Sequence, residues 1–257
     1  MANSTITITF GDCGENHVGM QKIGKLANDG FSFDDIRQMK NRFEGKAECN
    51  IYDLNTLLPV GVLAQPAYLL VIRGGVGAIL SETKYDFKQF VNEQTHINPD
   101  TQALMYGKVV NKNARYNVCF DVNSQTADIA NGKGTVVAYR DVPALAALRD
   151  RFSKYFGEKA ADLIGEGNYY YDVTKCGIGF HGDSERKKVI ALRIGHTMNL
   201  QYQWFHKHKP IGERGEIMLN SGDMYVMSEK AVGNDWKSSS ILTLRHAAGC
   251  SKFTKIN

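Results

Sequence analysis

Proline is scarce in this 257-residue chain, with 5 in all, and so is charge imbalance: 31 Lys+Arg against 27 Asp+Glu leave a formal net charge of +4. Few prolines beside 43% hydrophobic residues exclude a collagen-like or long disordered chain. The small net charge excludes the strongly basic tails that hold nucleic acid by charge alone. Long apolar runs are missing too. The run Ala67–Ile72 is far shorter than the ~20 residues of a membrane-spanning helix, so no membrane association by a spanning helix is expected. The opening MANSTITITF lacks a basic segment followed by an apolar one, which predicts a cytoplasmic or nuclear protein rather than a secreted one. The five cysteines (Cys13, Cys49, Cys119, Cys176, Cys250) are scattered without a Cys-x-x-Cys pair. Reduced thiols are expected, with no zinc ribbon, disulfide framework or disulfide-linked partner.

What is present reads as α+β. Residues 5–10 alternate Thr and Ile and predict a strand. Ser32 stands three residues before Asp35, and Ile36, Met39 and Phe43 recur at helical spacing until Gly45, which predicts an amphipathic helix. Tyr68–Ile72 reads as a buried strand, and Tyr85 to Ile97 as a helix with Phe87, Phe90 and Val91 on one face. Asp141 and Pro143 open a further helix whose stripe Leu145, Leu148 and Phe152 runs to Gly157. After Gly165 the chain is a series of short strand-like runs separated by turns, the pattern of a sandwich or small barrel.

Gly177-Ile178-Gly179-Phe180-His181-Gly182 spells the G-x-G-x-x-G of dinucleotide-binding turns, but it leads into Asp-Ser-Glu-Arg-Lys-Lys and another strand. That fingerprint requires a helix whose N-terminus receives the pyrophosphate, so the reading is rejected. His181 and Asp183 are two apart in the same stretch, and in a strand such residues project from one face. An imidazole and a carboxylate so placed, joined by a second histidine, make the facial triad of non-haem iron(II) oxygenases.

The surrounding motifs carry a resemblance. Tyr169-Tyr170-Tyr171, a spacer, and then Ile178-Gly179-Phe180-His181-Gly182-Asp183-Ser184-Glu185 resemble the metal-binding strand of AlkB-like 2-oxoglutarate and Fe(II)-dependent oxygenases. Leu219–Ser228 resembles that family's Gly-Asp strand, and Ile241–Arg245 its last strand. The resemblance implies a double-stranded β-helix, or jelly roll, over about 165–250. It further implies a substrate lid over 105–140 and a support helix over 141–157, with residues 1–104 as a separate α+β region of no assigned role. It implies Fe(II) and 2-oxoglutarate as cofactors and the hydroxylation or demethylation of a substrate, with nucleic acid as the candidate.

The departures from the pattern are specific. No histidine lies between His208 and His246, so the second metal histidine is missing where it is expected. Glu229, His246 or the loop histidines His206 and His208 remain as replacements, although His246 adjoins Arg245 and should face the other way. One cosubstrate arginine falls on Ser239, and the family's asparagine on Tyr169. Within the resemblance His181 and Asp183 hold the metal and are the catalytic pair, while Tyr171, Lys237 and Arg245 hold 2-oxoglutarate. Tyr106, Lys112, Arg115 and Tyr116 interleave rings and cations as a nucleic-acid lid does, or as a solvated hairpin edge does. The competing reading is a degenerate scaffold that binds nucleic acid or protein without turnover.

Overall fold

In the computed structural model, which describes residues 3–256, the alternating Thr-Ile segment forms β1 (Thr5–Gly11), followed by a hairpin of β2 (Cys13–Glu15) and β3 (Lys22–Gly24). Helix α1 (Phe33–Arg42) opens on a full capping box: the Asp35 N–H donates to the Ser32 hydroxyl, and the Ser32 N–H donates to the Asp35 carboxylate. Its Ile36 and Met39 are buried with Phe43. Next come β4 (Cys49–Asp53), β5 (Tyr68–Ile72), α2 (Gly75–Leu80) and α3 (Phe87–Thr95), the last capped reciprocally by Asp86 and Gln89. A hairpin of β6 (Gln102–Met105) and β7 (Lys108–Asn111) turns at Tyr106-Gly107, both with positive φ. Strands β8 (Tyr116–Asp121) and β9 (Val136–Ala138) lead to α4 (Pro143–Arg149) and α5 (Phe152–Phe156). The single helix expected over 141–157 is therefore two, although Leu145, Leu148 and Phe152 still enter one core.

The remainder is mostly strand: β10 (Ile164–Tyr170), β11 (Gly177–His181), β12 (Val189–Gly195), β13 (Met198–His206), β14 (Lys209–Leu219), β15 (Met224–Met227) and β16 (Thr243–Gly249). Two one-turn helices, α6 (Glu229–Val232) and α7 (Ser251–Thr254), complete it. A large sheet has the order β4-β5-β15-β12-β1-β10-β8-β9, and a smaller one the order β11-β16-β13-β14. All their pairings are antiparallel except β8 with β9.

One face of the large sheet, with Ile8, Phe10, Phe120, Leu192 and Val226, packs on the helices. The other face divides. Over β5, β15 and β12 it is apolar, and Val71, Ala191 and Tyr225 share a core with Tyr202, Trp204 and Leu244 of the small sheet. Over β1, β10 and β8 it is polar, carrying Thr7, Glu166, Asn168 and Asn117, all buried. The sheets thus face one another along one half and leave a polar compartment along the other, without closing into a barrel.

The boundary expected after residue 104 does not divide this fold. β1 lies between β10 and β12, with Thr7 opposite Asn168 on one side and Arg193 on the other, and β5 pairs with β15. Nor do residues 105–140 stand apart as a lid, since β8 pairs with β10. Alternating Thr-Ile chemistry states that a segment is a strand; which strands flank it is decided by long-range pairing. Among the described residues no helix is long and apolar enough to cross a membrane, and all five cysteines are unpaired.

Candidate metal centre

His181 closes β11 and lies directly across from His246 in β16, one register shift along the pair. Asp183 follows two residues later, its N–H donating to the Val232 carbonyl at 3.0 Å. One donor atom from each of His181, Asp183 and His246 lies within 4.8 Å of the other two. The Asp183 Oδ1 is 3.4 Å from His181 Nε2 and 3.6 Å from His246 Nε2. Gly182, between the two expected ligands, is required by packing: a Cβ there would sit 2.0 Å from the Gly233 carbonyl oxygen. The glycine of the rejected fingerprint thus serves a close backbone crossing that shapes this site.

The electrostatics suit a cation. His181 Nδ1 is 2.8 Å from the Gly179 carbonyl, which can only accept, so this nitrogen donates its proton and Nε2 is the ring nitrogen that faces Asp183. Burial works to raise the Asp183 carboxyl, but the Arg186 guanidinium and the two imidazoles outweigh it and hold the group well below the usual carboxylate range. Burial, followed by the neighbouring His181, lowers the pKa of His246 and keeps its imidazole neutral, as a ligand must be. Arg186 itself is buried and bridges Asp183 to Glu166 and Glu185. Two imidazoles and an anionic carboxylate converging from two segments fit a divalent ion, which draws cis donors to about 3 Å apart at metal–ligand distances of about 2.1 Å.

A second feature faces the same inter-sheet space. Arg193, on the inward face of β12 with Ala191, is 1% exposed. Its Nε donates to Thr7 Oγ1 at 3.2 Å, and its Nη1 to the carbonyls of Met198 and Asn199 at 2.5 and 3.3 Å. Among the described residues no carboxylate makes an ion pair with it, although Tyr225 and Asp223 act on its charge, and burial lowers its pKa. The Tyr202 hydroxyl, also inward, is buried without a partner, and Tyr225, charge-coupled to Arg193 and to Asp183, is pushed up to about 12 by burial. An unpaired buried guanidinium beside phenols is a receptor for an anion.

The residues expected to hold the cosubstrate lie elsewhere. Arg245 and His246 do alternate, and it is His246 that turns inward. Arg245 lies on the outer face of the small sheet, over Phe205 at 4.1 Å and hydrogen-bonded to His208 Nδ1 and the Trp236 carbonyl. Lys237 joins it only through Trp236, at 5.6 Å. Tyr171 is 40% exposed, donates to the Asn113 carbonyl and stacks on Tyr116 at 4.8 Å. Tyr106 is 99% exposed at its hairpin turn, whereas Lys112 is 7% exposed and Arg115 reaches Asn168, so the four proposed lid residues do not form one surface. Glu229 accepts from the Gly30 N–H and pairs with Lys187, away from the triad. Arg193 had a signal in the sequence, as the one charged residue inside the apolar run Val189–Ile194.

No protein-family model matches the chain. It is 48% identical over 254 residues to an uncharacterized protein of Acanthamoeba polyphaga mimivirus, and the match covers 98% of each chain.

Proposed function

The chain belongs to one family with that mimivirus protein, and we propose that it is an Fe(II)-dependent oxygenase that uses 2-oxoglutarate, built on a divergent AlkB-like jelly roll. The observation that carries the reading is the convergence of His181, Asp183 and His246, a two-histidine, one-carboxylate set. The strand order supports it. Four strands β15-β12-β1-β10 face β11-β16-β13-β14, and β10 to β16 pass between the two sets as jelly-roll strands do. In this reading β1, from the start of the chain, fills the position that completes the eight.

Bound iron would supply oxygen activation coupled to oxidative decarboxylation of the 2-oxo acid to succinate. The chain's own residues do the rest. His181 Nε2, His246 Nε2 and Asp183 Oδ1 would hold the ion. Arg186 keeps Asp183 anionic and engages its other oxygen, Oδ2, at 3.7 Å, leaving Oδ1 toward the imidazoles. Arg193, with Tyr202 and Tyr225, receives the far carboxylate of the cosubstrate, replacing Arg245 in that role.

Anaerobic titration with Mn(II) or Fe(II) tests this directly, with uptake of about one ion per chain expected. The His246→Ala variant should lose uptake, and wild type should form succinate from 2-oxoglutarate under oxygen while Asp183→Ala does not. Metal uptake unchanged in His246→Ala overturns the triad. Uptake without succinate favours a scaffold that binds without turnover.

A further inference from the structure

Beyond the triad, the polar compartment holds basic side chains that make no direct ion pair among the described residues, Asp100 and Glu166 acting on Lys112 only from beyond contact distance. Lys112 follows β7 and is more than nine-tenths buried, yet its Nζ donates only to Asn16, to Oδ1 at 2.7 Å and to the main-chain oxygen at 3.4 Å. Arg115 Nε donates to Asn168 Oδ1 at 2.7 Å. The same Asn168 oxygen accepts from Asn117 Nδ2, and the Asn117 carbonyl accepts from Asn16 Nδ2. Three asparagines therefore hold both cations in place through amides. Asp100, the nearest acid to Lys112, has its oxygens engaged by Asn16 Nδ2 and by the Thr135 N–H and hydroxyl, at 2.6–2.7 Å. His17 lies close enough that both cations lower its pKa, after burial. Folding places like charges together in a buried pocket at a free-energy cost, and structural ion pairs are the usual remedy. Here neutral amides take the direct contacts instead, with Asp100 and Glu166 at longer range, so N–H donors of both cations are left for a ligand.

We propose that Lys112 and Arg115 form a subsite for a terminal phosphate monoester carried by the substrate. An ammonium and a guanidinium fork with free N–H groups match a compact oxyanion with several acceptor oxygens. The depth of Lys112 selects an end group over a continuous backbone, because only a terminus reaches a nitrogen so enclosed. Asn168 is joined through Glu166 and Arg186 to Asp183, so a continuous chain of polar contacts runs from the polar face of the large sheet to the triad on the small one. As an anchor that delivers a carbon to the metal, the subsite rests on the oxygenase reading; as a phosphate site it stands on these contacts alone.

Calorimetric titration of the full chain with inorganic phosphate, glucose 6-phosphate and a short single-stranded DNA with or without a 5′-phosphate tests it. Saturable binding of phosphate and glucose 6-phosphate is expected, reduced about tenfold or more in Lys112→Met and in Arg115→Gln. His246→Ala should bind phosphate as wild type does, which separates failure of the triad from failure of the subsite. DNA bound only when 5′-phosphorylated places the monoester on a nucleic-acid end, and glucose 6-phosphate bound alone places it on a small molecule. No saturable phosphate binding, affinity unchanged in both variants, or DNA bound equally without its terminal phosphate overturns the proposal.

Discussion

Replacing Lys112 by Met should stabilise the protein, although it removes a side chain more than nine-tenths buried and hydrogen-bonded. Burial, first among the causes, pushes the ammonium from the ordinary lysine value of 10.5 down to about 8. Between those two values the unfolded chain binds more protons than the folded one, so native stability rises with pH across that window. Below it the cost is fully present and amounts to roughly 3 kcal/mol. Substitution by Met removes this cost but leaves Asn16 Oδ1 without its donor, which takes back about 1–2 kcal/mol. A net gain of about 1–2 kcal/mol follows at pH 7, or about 2–4 °C in Tm for a chain of this size. At pH 10 the wild-type lysine is already largely neutral, and the advantage of Met should vanish. Urea unfolding of both proteins at the two pH values measures the difference, and contributions from the buried tyrosines cancel between variants. Equal stabilisation at both pH values, or destabilisation at pH 7, refutes the assignment of Lys112 as a buried, uncompensated cation. The site would then gain affinity from a group that weakens the fold, as binding sites commonly do.

Further outcomes follow from the inter-sheet space and the backbone crossing. In Mn(II)-loaded protein, 2-oxoglutarate at a hundred times its Kd should stabilise the fold by about 2.7 kcal/mol; Arg193→Met should abolish the thermal shift, Arg193→Lys should keep part of it, and Arg245→Met should leave it intact. A shift lost in Arg245→Met and kept in Arg193→Met would return the cosubstrate to the outer face. Gly182→Ala drives a methyl to 2.0 Å from the Gly233 carbonyl, so a loss of about 2–3 kcal/mol together with weaker Mn(II) uptake is expected. Unchanged unfolding and uptake would show that the crossing yields freely.

Much of the local structure was legible in the residue order. Ser32 and Asp35 placed the start of α1, the apolar run Tyr68–Ile72 became β5, and His181 with Asp183 stood out two apart, although β11 ends at His181 and Asp183 lies just beyond it. Each is a short-range matter, since a capping box spans three residues and the alternation of side chains along a strand spans two. The same alternation correctly set Arg245 and His246 on opposite faces, yet could not say which face is the interior. Arg245 carries aliphatic length and finds aromatic partners in Phe205 and Trp236, so it serves on the outer face, and the shorter imidazole of His246 takes the inner one.

Composition and local pattern by themselves determined that this chain makes an α+β fold with its thiols unpaired, and where most strands and helices begin. Tertiary structure alone decided that β1 enters the middle of the large sheet, that His246 completes the group begun by His181 and Asp183, and that three asparagines rather than carboxylates hold Lys112 and Arg115. Strand neighbours and ligand partners are chosen by pairings between residues as far apart as Thr7 and Arg193 or His181 and His246. Such pairings are settled by the burial and hydrogen bonding of the whole sheet, and no window of neighbouring residues contains that information.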